Sequence, residues 1–331
     1  MNVGVYLNPQ DAPERTAQDL REGLLSLART AREAGFDHVS AGQHYLSEYT
    51  QLQLFPFLAR LAAETGGMEL GTGVVLAPFH HPVDLAERLA TLDALHDGST
   101  TFGVGAGYRD AEFAAFGVPK AERVSRTVEC VELVTRLLGE RGVSYAGEHY
   151  AVEDATIPVR PDDPDDLPVW MAANADRAVE RAARLADAWF VNPHATLGEI
   201  REQKTERYDP IRAERGAAAA VPVLREAFVA PTREAAVETA REHLAEKYRA
   251  YVDWGQDEAM EAEGDLRRPF DALAEDRFVL GTPADAREAI ERYERDLDAS
   301  HVVLRCHWPG LPYERTRECL ELIGDEVLPY V

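Results

Sequence analysis

The sequence is poor in the residues that mark several common classes of protein. Its three cysteines, Cys130, Cys306 and Cys319, are too few and too widely spaced for a disulfide framework or a zinc cluster. It has no run of about 18 apolar residues, which argues against a membrane-spanning helix. The first residues, MNVGVYLNPQ, lack the basic start and long apolar core of a signal peptide. We therefore expect a cytoplasmic protein with no membrane partner.

Lysine is scarce as well, and the balance of charge is strongly acidic. Only Lys120, Lys204 and Lys247 among the 35 basic residues are lysines, and the 59 acidic residues give a net charge of −24. Such a surface repels nucleic acid, so no nucleic-acid partner is expected. An acid excess suits a halophilic protein, because concentrated salt screens the self-repulsion. A GC-rich genome is the alternative, and it explains the missing lysine but not the acid excess.

Strand-like apolar segments alternate with amphipathic helical segments along almost the whole chain. A helix is predicted over residues 16–34, where Leu20, Leu24 and Leu27 recur at helical spacing and Gly35 follows the end. Eight strands are predicted in the segments VGVYL, FDHVSAG, MELGTGVVLA, TTFGVGAG, LPVWMAA, DAWFVN, VPVLREAFVA and SHVVLRC. Two polar excursions, at about 143–166 and 253–276, interrupt the alternation.

This alternation predicts a parallel sheet, since parallel strands need crossover helices between them. A doubly wound open sheet is possible, but eight strand–helix units over 331 residues fit a closed (β/α)8 TIM barrel with insertions better. No linker divides the chain, so we expect one domain over residues 1–331. In such barrels the site lies at the carboxyl ends of the strands, which here carry His44, Tyr108, Arg109 and Asn174 among other polar residues.

Several motifs of enzyme chemistry are missing. GVGAG at 103–107 does not continue as a dinucleotide-binding fingerprint, and no Walker loop, HExxH or GxSxG sequence occurs. His80 and His81 are adjacent in the chain, and adjacent side chains of a strand point to opposite sides. We expect no metal site there and interpret them as loop histidines packed beside Pro82. The polar loops with few acids instead indicate that an organic cofactor carries the reaction.

The chain resembles the luciferase-like flavin-dependent monooxygenases, the family of the bacterial luciferase α subunit. The resemblance extends over nearly the whole sequence and is strongest in EAGFDHVSAGQHYLSEY, LGTGVVLAPFHHPVDLAERLATLDALHDGSTTFGVGAGYRDAEFAAFG, LGTPADAREAIERY and GDEVLPYV. It implies a (β/α)8 barrel, often a homodimer, that uses reduced FMN with oxygen. In other branches of the family a deazaflavin coenzyme works without oxygen.

The resemblance also assigns a catalytic residue. The family's EHH at the end of the second strand is GQHY here, so that His44 matches the functional histidine while Gln43 and Tyr45 replace its neighbours. His44 would lie beside the reactive edge of the flavin as a base or hydrogen-bond donor. The alternative is a structural histidine that caps a strand end.

The resemblance places the cofactor phosphate at the turn AANADR after the fifth strand, where helix N-terminal amides face an anion. An arginine that holds the phosphate in bacterial luciferase is Ala106 here, and Arg177 is the candidate to compensate. The resemblance also implies a cis peptide between Gly73 and Val74 that supports the flavin, whereas the residues alone favour an ordinary trans strand. The residues expected to hold the cofactor are Gly73, Val74, Ala106, Ala173, Asn174, Ala175, Arg177 and Phe190.

A hydrophobic organic substrate is expected, because the residues near the strand ends are apolar or aromatic. The pocket candidates, each of which could equally be core, are Tyr6, Tyr45, Phe79 and Tyr108, with Phe55 and Trp308 as further ones. The excursion at 253–276 falls where the family carries a mobile, substrate-covering insertion, although a surface loop explains its charge equally well.

Three functions therefore remain open. The first is a monooxygenase that uses O2 and reduced FMN, the latter supplied by a separate flavin reductase. The second is a deazaflavin-dependent dehydrogenase or reductase. The third is a barrel without activity of its own that partners an active homologue, against which the retained His44 argues.

Overall fold

The computed structural model describes residues 1–163, 166–255 and 265–331. Its strands, in chain order, are β1 (Asn2–Tyr6), β2 (Gln10–Asp11), β3 (His38–Ala41), β4 (Thr50–Gln51), β5 (Glu69–Thr72), β6 (Val75–Leu76), β7 (Thr100–Gly105), β8 (Val143–Ala146), β9 (Ala151–Ala155), β10 (Val169–Ala172), β11 (Ala188–Phe190), β12 (Val223–Val229), β13 (Val279–Gly281) and β14 (His301–Arg305).

Helices follow most of these strands and cover the outside of the sheet. They are α1 (Ala17–Glu33), α2 (Leu54–Thr65), α3 (Pro82–Ala94), α4 (Asp110–Phe116), α5 (Arg123–Gly139), α6 (Asp176–Leu185), α7 (Leu197–Gln203), α8 (Asp209–Glu214), α9 (Arg233–Asp253), α10 (Phe270–Ala274), α11 (Pro283–Leu297) and α12 (Tyr313–Glu326). Within the described ranges, none of these helices combines the length and the apolar character that crossing a bilayer requires.

The parallel strands form a closed barrel, as predicted. Their hydrogen-bonded order is β11, β10, β7, β5, β3, β1, β14, β12, and β13 adds to the far half of β12. The ring closes between β11 and β12, where the amide of Val191 donates to Pro222 O at 2.9 Å and the amide of Leu224 donates to Val191 O at 2.8 Å. All the carboxyl ends of the barrel strands therefore meet at one rim.

The eight predicted strands match the eight strands of the ring, and the helix predicted over 16–34 is α1. The helical segment after β11 is divided into α7, a π-helical turn (Lys204–Tyr208) and α8. Pro210 lies in the first turn of α8 and has no N–H, so it cannot continue the hydrogen-bond ladder from α7.

Further elements lie outside the ring. The first excursion, 143–166, contains the antiparallel hairpin β8–β9, and the second, 253–276, contains α10. Residues 256–264 of the second excursion lie outside the described part of the chain, and with them part of the covering insertion that the resemblance implies. The short strand β13 was not predicted, because three residues are too few to show a period.

The amino end of the barrel interior is filled by a polar group made of Glu69, His38 and His301. His301 Nε2 lies 2.9 Å from Glu69 Oε2, and His38 Nδ1 lies 3.1 Å from the same oxygen but is poorly aligned for a hydrogen bond. The His38 ring stacks on Trp170 with a centroid distance of 5.2 Å. Burial alone would raise the pKa of Glu69, but hydrogen bonding by His301 and the nearby His38 outweigh it and lower the pKa to about 2.

The Glu69 carboxylate is therefore expected to stabilise the fold in a pH-dependent way. Because its folded-state pKa lies below the ordinary value of about 4.3, the stabilisation is complete above that pH and is lost as the pH falls towards about 2. Glu69→Gln should lower the free energy of unfolding by about 1.5–3 kcal/mol at pH 7, and by clearly less at pH 3. Urea unfolding at both pH values measures this. The exposed control Glu202→Gln should change little at either pH, and an equal loss for Glu69→Gln at pH 7 and pH 3 would contradict the assignment.

Candidate active site

The candidate site lies at the carboxyl rim of the barrel, around His44 in the loop after β3. Three aromatic rings surround its imidazole, with centroid distances of 5.9 Å to Tyr108, 6.2 Å to Tyr251 and 5.3 Å to Trp254. Tyr108 follows β7, whereas Tyr251 and Trp254 come from the end of α9 and cross the rim from the other side. The predicted neighbours His44 and Tyr108 are thus brought together, and two further rings join them.

A buried carboxylate fixes the orientation of His44. Glu112, in α4, is fully buried, and its Oε1 lies 3.1 Å from Nδ1 of His44. The same oxygen accepts the amide of Tyr45 at 2.8 Å. Because a carboxylate oxygen only accepts, we assign the proton of this pair to Nδ1 of His44. Nε2 is then the nitrogen that remains for a reacting group.

Arg109 contacts both the Glu112 carboxylate and one of the aromatic rings. Its Nη1 donates to Tyr45 O at 2.7 Å and lies 3.5 Å from Oε1 of Glu112. Its guanidinium also stacks on Trp254, 3.9 Å from the ring centroid. This cation–π contact holds the end of α9 against the loop after β7.

Two buried polar atoms beside His44 lack a hydrogen-bond partner within the described ranges. They are the hydroxyl of Tyr108 and Oε2 of Glu112. Buried polar atoms normally have partners, so unsatisfied ones at the rim of a barrel fit a polar edge of a bound molecule. A flavin-type ring, which carries polar atoms on one edge and an apolar face, matches this combination of groups.

Tyr45 and Phe79, two predicted pocket residues, belong to a neighbouring aromatic group. The Phe116 ring stacks on Phe79 at 4.8 Å and contacts Tyr45 edge-on at 4.6 Å. Gln43, which replaces the family's acid, donates to the Tyr45 hydroxyl at 2.5 Å and accepts the amide of Leu76 at 3.0 Å. Burial raises the pKa of Tyr45 to about 12. Gln43 therefore joins the loop after β3 to β6.

His80 and His81 have separate structural roles. Burial, with a smaller effect of Arg88, lowers the pKa of His80 to about 4, and its Nε2 lies 3.2 Å from Oε1 of Gln43. His81 caps α3, since its Nδ1 accepts the amide of Val83 at 3.3 Å. His80 thus contacts the loop after β3, and His81 contacts the first turn of α3.

Among the described residues, Glu129, Glu148 and His149 lie close enough together to bind a metal ion, where α5 meets the β8–β9 hairpin. The Glu129 carboxylate already accepts the amides of Glu148 at 2.8 Å, His149 at 3.0 Å and Tyr150 at 3.2 Å. This carboxylate clamps the turn of the hairpin.

The peptide between Gly73 and Val74 is cis, as the resemblance implied. The amide of Gly73 donates to Ala41 O at 2.6 Å, and Val74 packs against the apolar group inside the barrel. That group also contains Tyr6 and Phe190, so two residues predicted from their strand ends lie in the barrel interior.

The turn predicted to hold a phosphate lies at the carboxyl ends of β10 and β11. The side-chain amides of Asn174 and Asn192 are hydrogen-bonded to each other. Ala173 is buried and accepts Trp189 Nε1 at 3.0 Å, and Ala175 begins α6. Arg177 is exposed in the first turn of α6, and Ala106 is half-buried after β7. Their role in cofactor binding stays a prediction.

A second buried polar group lies between the ends of β12 and β14 and was not predicted. Glu226 is contacted by the ammonium of Lys247, by Arg305 Nη1 at 3.4 Å and by Trp308 Nε1 at 2.7 Å. Arg305 lies over the ring of Tyr6, 4.2 Å from its centroid. Trp308, proposed as a pocket residue, is therefore fully buried and holds Glu226.

Sequence reasoning missed Glu112, Tyr251, Trp254, Glu226 and Lys247. Glu112 lies in the segment AEFAAFG, which carries part of the resemblance. Its place in that segment could have marked it as a candidate site residue. Lys247 is one of three lysines in the chain, but nothing local indicates that it reaches a strand of the barrel.

Comparison with known proteins agrees with the barrel fold. Residues 1–300 match the family described as luciferase-like monooxygenase. An F420-dependent glucose-6-phosphate dehydrogenase of Microbacterium testaceum is 29% identical over 331 aligned positions, which cover 92% of each chain. Monooxygenase RslO1 from Streptomyces bottropensis is 27% identical with a TM-score of 0.87 over 99% of each chain.

A third likeness shows the fold alone. It is to the oxygenating constituent of 3,6-diketocamphane monooxygenase from Pseudomonas putida in complex with FMN, with 17% identity and a TM-score of 0.82 over 100% of this chain and 99% of that one. The family matches almost the whole chain, and the barrel carries its candidate site at the carboxyl rim. The chain therefore belongs to the luciferase-like monooxygenase family.

Proposed function

We propose that the protein is an oxidoreductase that binds a flavin-type coenzyme at the carboxyl rim and uses His44 to exchange a proton with the substrate. The observation that carries this proposal is the Glu112–His44 pair, in which the buried carboxylate fixes the ring and leaves Nε2 for the reacting group. A histidine oriented in this way is suited to general acid–base catalysis near neutral pH.

The coenzyme supplies hydride transfer or the activation of oxygen when it is bound. The protein supplies binding, orientation and the proton. The residues proposed to hold the coenzyme are the ones expected from the sequence, Gly73, Val74, Ala106, Ala173, Asn174, Ala175, Arg177 and Phe190, together with the unsatisfied hydroxyl of Tyr108.

The rings around His44 support an apolar substrate body. Tyr108, Tyr251 and Trp254 present aromatic surface to the imidazole and leave its side chain 14% exposed. Burial of apolar substrate surface against such rings is favourable and strengthens the electrostatic contacts inside the site.

Two forms of the reaction are compatible with this site. A deazaflavin-dependent dehydrogenase is favoured by the F420-dependent relative, which aligns over 92% of each chain. In that form Nε2 of His44 would take the hydroxyl proton of an alcohol, and the oxidised deazaflavin would supply the acceptor for the hydride from its carbon. A monooxygenase with reduced FMN and O2 is favoured by the likeness to RslO1. There His44 would steady the oxygen of the substrate by a hydrogen bond.

Anaerobic titration with oxidised F420 and, separately, with reduced FMN measures coenzyme binding, and turnover assays in air then measure oxygen uptake. Tryptophan fluorescence reports binding, because Trp254, one of four tryptophans, lies 5.3 Å from the ring of His44. We expect saturable binding of oxidised F420, and product formation without oxygen uptake. Binding of reduced FMN, with oxygen consumed in proportion to product, would establish the monooxygenase form. Failure to bind either coenzyme would contradict the proposal and favour a barrel that only partners an active homologue.

His44→Ala is expected to lower turnover by about 10²-fold, which is the usual contribution of a positioned acid–base group. The Kd of the coenzyme should change by less than about threefold, because the change removes no proposed phosphate contact. Steady-state kinetics and the fluorescence titration measure the two effects. His81→Gln, which alters a histidine that only caps α3, is the matched control. Unchanged turnover in His44→Ala would show that the histidine is structural.

Glu112→Gln is expected to lower turnover by about 10–100-fold, as loss of an orienting partner commonly does. It should also change the pH dependence of turnover, which a merely structural effect would leave in place. Asp110→Asn, in the same helix but exposed, is the control. A variant with the wild-type pH profile would exclude Glu112 as the positioning residue of His44.

A further inference from the structure

Two arginines next to the predicted phosphate turn have no acidic partner. Arg123 is the first residue of α5, and Arg181 lies in the second turn of α6. We call these two residues the arginine pair. Neither forms an ion pair within the described ranges, and the one hydrogen bond of their guanidinium groups there runs from Nη1 of Arg123 to Lys120 O at 3.3 Å. Both side chains are half-buried, so a ligand can reach them from solvent without opening the barrel.

The acidic residues beside the pair in the sequence have other partners. Glu122 contacts Nη2 of Arg126 at 2.8 Å, and Glu180 contacts Nη2 of Arg184 at 3.4 Å. The chain has 59 acidic and 35 basic residues, so a shortage of carboxylates does not explain why the arginine pair lacks one.

The two charges of the pair repel each other. Burial, and then the charge of Arg123, lower the pKa of Arg181. An arginine nevertheless stays charged at neutral pH, so both positive charges persist. Like charges held near each other in a partly buried place are unfavourable, and an anion that contacts both offsets their repulsion. The pair is therefore suited to an anionic group of a bound molecule.

The pair lies beside the place where the coenzyme phosphate is predicted to bind. β7 and β10 are neighbours in the ring, and α5 and α6 follow them along the chain. α6 begins directly after the turn AANADR, and Arg177 lies one helical turn before Arg181 on the same face of α6. An anionic chain that leaves the phosphate along this face passes Arg177 and reaches the pair.

We propose that the arginine pair binds carboxylates that extend beyond the phosphate of the coenzyme. The coenzyme is then one with a polyanionic tail. F420 belongs to this class because it carries a chain of glutamates, whereas FMN ends at its phosphate. The inference rests on the proposed function, since it concerns the coenzyme of the same site, and it favours the deazaflavin form.

The test compares oxidised F420 that carries several glutamates with oxidised F420 that carries none. Fluorescence titration at fixed, low ionic strength gives the two Kd values. We expect the glutamate chain to tighten binding about tenfold, because it adds charge-assisted contacts to two arginines. Molar salt should remove most of this gain, since it screens charges at the surface. Equal Kd values at low ionic strength would overturn the proposal.

Two variants assign the gain to the pair. Arg123→Gln and Arg181→Gln should each reduce it about threefold, and each should leave the Kd of F420 without glutamates within about twofold of the wild type. Arg184→Gln, also in α6 but paired with Glu180, should keep the full gain. Near-ultraviolet circular dichroism confirms folding, and if one variant does not fold the other decides. A wild-type gain in a folded variant of the pair would also overturn the proposal.

Failure of the proposed function gives a different result. Binding of reduced FMN without binding of either form of F420 would overturn this inference and leave the proposed function in place. No binding of any of these coenzymes would refute the proposed function, and the inference with it. Binding of both forms of F420 with one Kd would refute the inference alone.

Discussion

The site depends on the closure of the barrel between β11 and β12. The hydrogen bonds of Val191 to Pro222 and of Leu224 to Val191 turn an open sheet into a ring. Only in a ring do the ends of β3, β7, β10, β12 and β14 approach one another, although they lie far apart in the sequence. The ring brings the Glu112–His44 pair, which follows β3 and β7, and the group of Glu226, Lys247 and Arg305 beside β12 and β14 to the same rim.

Buried charge is distributed in layers along the barrel axis. At the amino end, Glu69 lies close to both His38 and His301 and stabilises the fold. At the carboxyl end, Glu112 is shared by His44 and Arg109, and Glu226 by Lys247 and Arg305. Buried polar atoms without a hydrogen-bond partner among the described residues occur at both ends, such as Nε2 of His38 at the amino end and the hydroxyl of Tyr108 at the carboxyl end.

Much of the fold could be predicted from the sequence, because the spacing of hydrophobic residues and the glycines at helix ends are local signals. The strands around Val39, Val104 and Val303 and the helix from Ala17 to Glu33 illustrate this. The cis peptide at Gly73 could be predicted only from the resemblance, since the residues themselves favour an ordinary trans strand. The contacts of Tyr251, Trp254 and Lys247 could not be predicted. They depend on where the end of α9 crosses the rim, which no local pattern encodes.

The central claim is that Nε2 of His44 faces the bound coenzyme and substrate. Nitrogen-15 NMR of histidine-labelled protein tests it directly, with the His44 signals assigned by their loss in a His44→Gln variant. We predict a ring protonated at Nδ1 and free at Nε2, whose Nε2 signal moves when the reduced coenzyme is added under anaerobic conditions. An Nε2 signal that stays in place while the coenzyme saturates the protein would contradict the account.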